Sequence, residues 1–161
     1  MAALVISVLV LMVYGAIAWT DLHHFRISNQ MVLLLIGLYL LFSLAQGGAQ
    51  LRGDLLAGAL LFVLGFGFWL AGVMGAGDAK LGFPVGLFCG VQGLATYAVL
   101  LLAFSFALLV LIKAAPRIGR GKSRIGRRLK EISEQGRVPY GLPMLGAGGV
   151  ALAARTLQQL A

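Results

Sequence analysis

Five acidic side chains occur in the 161 residues, so each carboxylate can be weighed for chemistry on its own. Glu131 and Glu134 stand at i, i+3 among Arg and Lys and offset their charge. Asp54 precedes an apolar stretch, where a carboxylate caps exposed backbone N–H groups; on that reading Asp54→Asn is a silent control. Asp21 closes an apolar run in Trp19-Thr20-Asp21-Leu22-His23-His24-Phe25-Arg26-Ile27-Ser28-Asn29. The C-terminal end of a helix is the negative end of its macrodipole, so an anion there asks for a reason. Asp78 lies in Met74-Gly75-Ala76-Gly77-Asp78-Ala79-Lys80, where two glycines permit a sharp bend and close approach of another chain. Gly82, Gly86 and Gly90 follow Asp78 at steps of four. A small-residue stripe at that spacing marks a close helix–helix contact in membranes, which turns Asp78 toward a packed neighbour, and a carboxylate facing a bundle interior is a functional candidate.

Taken singly, Asp21 reads as an interfacial residue, whereas Asp78 already reads as a functional candidate, with the cap of a glycine-rich turn as its bland alternative. Together they suggest more. Although 57 positions separate them, helices one and four could bring them together at one membrane depth. Two close carboxylates cannot both ionise cheaply, so one holds a proton while the other stays anionic. That asymmetry suits amide hydrolysis: the anion takes a proton from water and the acid hydrogen-bonds the scissile carbonyl. Titration belongs to the pair, and the sequence does not say which member holds the proton.

The elements that must position these groups are membrane helices. The chain is 60% hydrophobic and 11% charged, with a mean hydropathy of +0.96, whereas soluble domains carry about 45–50% apolar and about 25% charged residues. Uncharged runs cover Ala2–Thr20, Met31–Ala45, Leu55–Met74, Leu81–Val91, Leu94–Ile112 and Gly141–Leu160, against the roughly 20 residues that span a bilayer. The fourth would rise only about 17 Å at 1.5 Å per residue. No run alternates with period two, so a barrel is excluded. The expected fold is all-α, a polytopic membrane protein of about six transmembrane helices, with residues 1–161 forming one integral-membrane domain.

Nine of the thirteen Lys/Arg fall between Lys113 and Arg137, in a basic loop at about 113–139 where Pro116 would end helix five. With the N-terminus outside, that block, Arg26 and Lys80 all become cytoplasmic, eleven charges against Arg52 and Arg155, a strong positive-inside signal. The loop suits anionic headgroups of the membrane lipid and not nucleic acid. The lone Cys89 packs as a small hydrophobe. No Cys/His cluster has zinc spacing, and adjacent His23 and His24 project apart, so neither a metal nor another cofactor is expected.

These residues resemble the type IV prepilin peptidases, relatives of the preflagellin peptidases among the GxGD intramembrane aspartyl proteases. Asp21 with Arg26-Ile27-Ser28-Asn29 looks like the family's first aspartate and its downstream basic-Ile-Pro-Asn segment. Gly75-Ala76-Gly77-Asp78-Ala79-Lys80-Leu81 looks like its GxGD motif, and Val138-Pro139-Tyr140-Gly141 like its Pro-aromatic-Gly segment. The resemblance implies Asp21 and Asp78 as the catalytic pair, with Gly75, Gly77, Lys80, Arg26, Asn29 and Tyr140 as motif and supporting residues. Ser28 stands where the family has proline, which would loosen the approach to helix two. The chain has one Cys and no segment with paired CxxC motifs. It therefore looks like the short, peptidase-only type of Flp or tight-adherence pilus systems, and methyl transfer is not expected. The implied substrate is a prepilin or pseudopilin with a short basic leader, cut at the cytoplasmic face of the inner membrane. The alternative is a proton-coupled transporter or channel subunit using paired membrane aspartates, which would place the carboxylates near mid-bilayer. The sequence is silent on the oligomeric state.

Overall fold

The structure, a computed structural model, describes residues 1–24, 26–118 and 139–159, with only the backbone of 115–118. Five helical elements follow in order: α1 (Ala2–His24), α2 (Asn29–Ala45), α3 (Leu51–Leu70), α4 (Ala76–Ile118) and α5 (Gly141–Gln158). No strand occurs among the described residues. In lipid each backbone N–H must find its partner within the chain, and helices do this without help from water. Three elements are long and apolar enough to cross a membrane: Ala2–His24, Leu51–Leu70 and Ala76–Ala114. Large apolar side chains cover their outer surfaces, among them Met12, Leu56, Leu70, Leu102 and Phe106, each more than half exposed. The chain is a polytopic, all-α membrane protein.

The expected fourth and fifth helices form one element, α4. They are separated at Gly90, whose φ of 64° and ψ of 168° break the helix without an intervening loop. Only glycine adopts that backbone without strain. The second arm doubles back: Leu108 and Ile112 pack with Leu22 and Leu142, and Phe104 lies beside Gly146. Gly90 therefore does not extend the glycine stripe; it ends the arm that carries it. The element also continues past Pro116 to Ile118, because one missing N–H weakens a helical turn without having to end it. The basic loop beyond that point lies outside the described residues.

Gly82 and Gly86 do make the close contact. A Cβ on Gly86 would stand 2.6 Å from the Ala57 carbonyl oxygen and 2.7 Å from Cα of Gly58, and one on Gly82 would meet the Leu61 oxygen at 2.9 Å. Backbone on backbone, α3 lies against the first arm of α4. Around the other side of that arm sits the core, where the ring of Phe88 takes Tyr14, Tyr39 and Phe42 edge-on at centroid distances of 6.4, 5.5 and 5.7 Å. Such pairs each add about 0.5–1.5 kcal/mol beyond their buried area, and here they join α1 and α2 to α4. Helix α5 packs between α1 and α4, so the two aspartate-bearing helices meet largely through it.

Candidate active site

Asp78 is the third residue of α4, and its carboxyl folds back over Gly75, where a Cβ would lie 3.0 Å from Oδ2. The backbone amide of Gly75 acts on it. A carboxylate in the first turn of a helix meets free N–H groups and the positive end of the dipole, so this placement is electrostatically favourable. Gly77 has a different task. A Cβ there would meet Cβ of Ile27 at 3.2 Å, so its absence lets the α1–α2 connection close over the start of α4.

Asp21 occupies the last turn of α1, the unfavourable end for an anion. The structure supplies the reason. The first turn of α5 abuts the carboxyl, and the amides of Gly141 and Leu142 act on it. A second helix's positive end thus offsets the first helix's negative one. The amide of Gly141 acts on Asp78 as well, and Asp78 feels the charge of Asp21. Both carboxyls therefore lie near the start of α5, Asp21 packed directly against Gly141. They are 4% and 8% exposed, and Oδ2 of Asp21 and Oδ1 of Asp78 are buried with no hydrogen-bond partner among the described residues. An unsatisfied buried acceptor costs about 1–3 kcal/mol, so each of these two oxygens calls for an explanation that stability does not provide.

The other motif residues gather at the same end. Lys80 donates to Oδ1 of Asn29 at 3.3 Å, which ties α4 to the start of α2. Arg26 is exposed and lines a cavity of about 570 Å³ with Thr20, His24, Met31, Gly77 and Lys80. Tyr140 is half-buried immediately before Gly141. Ser28 does not loosen the approach to α2: with φ −71° and ψ 137° it is the N-cap, and its hydroxyl accepts from the amide of Gln30. His23 is occupied by Trp19, through a ring-nitrogen contact to its carbonyl at 2.9 Å and a tilted ring contact at 4.2 Å between centroids.

A sequence model of the type IV leader peptidase family matches residues 5–112, two thirds of the chain and both aspartates. The chain belongs to the type IV leader peptidase family. Comparison with curated proteins and with solved structures finds no match. Membership makes this chain a membrane peptidase, and the matched region ends before Gly141.

In this leader peptidase family member, Asp54 is no helix cap. Gln50 holds the N-cap position of α3. Asp54 instead forms a buried ion pair with Arg155 at 2.7 Å and accepts the hydroxyl of Tyr39 at 2.8 Å. Asp54→Asn is therefore no silent control, because it removes the charge opposite a buried guanidinium. Gly141 and Arg155 are the residues that sequence reasoning under-read. The unexplained anion at the end of α1 was the available signal for the first, and nothing in the sequence linked Arg155 to Asp54, 101 positions away.

Proposed function

We propose that this peptidase is an aspartic endopeptidase that removes the short basic leader of type IV prepilins or pseudopilins, with Asp21 and Asp78 as its catalytic pair. The observation that carries this reading is that both carboxyls are buried, each with an unpartnered oxygen, with Asp21 packed against Gly141 and Asp78 within reach of the charge of Asp21. One carboxylate takes a proton from water, whose oxygen attacks the scissile carbonyl carbon. The protonated partner donates to the carbonyl oxygen. Collapse of the tetrahedral diol breaks the C–N bond: the leaving nitrogen takes the proton held by the first carboxyl, and one diol hydroxyl returns its proton to the partner as the C=O re-forms. A transporter reading expects charge at mid-span, whereas Asp21 ends α1 and Asp78 begins α4.

The two arms of α4 and the other four helices are read as six crossings of the inner membrane with the N-terminus outside. This orientation sets the aspartates at the cytoplasmic face, where the substrate's leader would lie. A basic leader is attracted by the carboxylates and repelled by the basic loop, which rests on anionic lipid headgroups. The whole chain, 1–161, acts as one peptidase domain, without methyl transfer.

Co-expression with a prepilin, read as a mobility shift on a gel, tests the proposal. Asp21→Asn and Asp78→Asn each abolish leader removal while membrane insertion survives, and exposed Arg52→Gln processes normally. Full processing by either single Asn variant overturns it.

A further inference from the structure

At the end of the bundle opposite the aspartates, one side chain holds three other elements together. Arg155, on α5, donates from Nη1 to the carbonyl oxygens of Leu87 and Phe88 at 3.3 and 3.1 Å. These belong to the last turn of the first arm of α4, whose carbonyls lose their helical partners where Gly90 breaks the chain. From Nη2 the same guanidinium donates to Oδ2 of Asp54 and to Oε1 of Gln50, both at 2.7 Å, on and just before α3. Tyr39 of α2 donates to the same oxygen of Asp54, and the guanidinium lies 5.5 Å from the ring centroid of Phe42. The side chains of Arg155 and Asp54 are only 10% and 5% exposed. A Cβ on Gly90 would strike Oδ1 of Asp54 at 2.6 Å, so the break and the ion pair are built for each other.

A buried ion pair is a poor route to stability, since well-packed apolar residues of similar volume do as well; its best-attested use is fixing register. Arg155 ties α5 both to the carbonyls that end the first arm of α4 and, through Asp54, to α3, which itself meets that arm over Gly58, Gly82 and Gly86. Phe88 lies ten residues from Asp78 and Arg155 fourteen from Gly141, so at 1.5 Å per residue the clamp acts about 15 and about 21 Å from the groups it would align. A slip of one residue would move Gly141 by about 1.5 Å against the Asp21 carboxyl it packs on.

We infer that the Arg155–Asp54 pair sets the axial register of α5 against the first arm of α4, and so acts as the positioning device for the aspartate pair at the far end. The inference rests on the peptidase reading for its kinetic consequence but not for its structural one.

The test uses the full chain in lipid nanodiscs with Cys89→Ala and a reporter pair, Val85→Cys with Gly148→Cys. These positions face each other across α4 and α5, a Cβ on Gly148 lying 3.0 Å from Cγ1 of Val85. Arg155→Lys keeps the charge but lacks the planar fork. The Asp54→Leu/Arg155→Met double variant removes the pair and restores apolar packing. The expected result is a melting temperature for the double variant near that of the parent, with reporter cross-linking reduced at least twofold in both variants. Without the reporter cysteines, both show a kcat at least tenfold lower and KM within twofold. Recovery of kcat and cross-linking along with the melting temperature overturns the inference, as does Arg155→Lys with unchanged cross-linking. A parent chain that cuts no prepilin sinks the peptidase reading alone, because the cross-link still decides the register. Should the double variant not fold, Arg155→Lys decides.

Discussion

Gly141 leaves no room for a side chain beside Asp21: a Cβ would stand 2.7 Å from Oδ2, 3.1 Å from Cγ and 3.3 Å from Cδ1 of Ile27. The absence of a side chain at Gly141 is therefore a requirement of the Asp21 site. Gly141→Ala must push the Asp21 carboxyl aside or shift the first turn of α5. Misplacement by about 1 Å can cost about a hundredfold in rate. The expected outcome is a kcat lower by about ten- to a hundredfold with the melting temperature little changed, checked by leader-removal kinetics beside thermal unfolding. Wild-type kcat in a folded Gly141→Ala variant would show that the amide's position is immaterial.

Asp21 stood out in the sequence as an anion at the wrong end of a helix, but its compensation comes from Gly141, 120 positions later, and helix packing alone reveals that. Asp54 was misread for a related reason. A chain shows which residues precede a helix, not which guanidinium reaches them from another. Gly82 and Gly86 were legible as a close contact because spacing of four fixes a helix face. Gly90 kept the same spacing while breaking the helix, since a positive φ leaves no periodic trace. The merged α4 follows from that: two apolar runs separated by two residues allow either a loop or a one-residue break, and only backbone geometry distinguishes them.

Glycines of equal helix propensity respond oppositely to the same change. Gly15 has nothing within 4 Å of a built Cβ, whereas Gly86 faces the Ala57 oxygen and Gly58 Cα at 2.6 and 2.7 Å. In open helix, Gly→Ala stabilises by about 0.5–1 kcal/mol, and overpacking against backbone costs about 1–3 kcal/mol. Gly15→Ala is expected to raise the melting temperature in detergent and Gly86→Ala to lower it. Equal shifts would show that α3 and α4 do not approach as closely as described.

Ser28 separates capping from chain stiffness. Its φ of −71° suits proline, while its hydroxyl caps α2. Losing an N-cap costs about 0.5–2 kcal/mol, and a compatible proline returns about 0.4–1 kcal/mol by restricting the unfolded chain. Ser28→Ala is therefore the more destabilising of the two, with Ser28→Pro between it and the parent. Thermal melts of the three proteins check the order, and a Ser28→Ala melt equal to the parent's would remove the cap from the account.

The pH dependence of cutting follows from two carboxyls that must be in different states. Below the working range the ionised member gains a proton and the base is lost; above it, the acid ionises and the scissile carbonyl loses its donor. The profile of kcat/KM is expected to be bell-shaped, with slopes of about one on each limb and apparent values that belong to the pair and not to either residue. A prepilin without titratable groups flanking the cut keeps substrate ionisation out of the measurement. Arg52→Gln, remote from both carboxyls at the opposite end of the bundle, should leave the curve in place. A profile with a single limb would mean that only one aspartate works as an acid or a base, and the shared-proton mechanism would fall even if both residues proved essential.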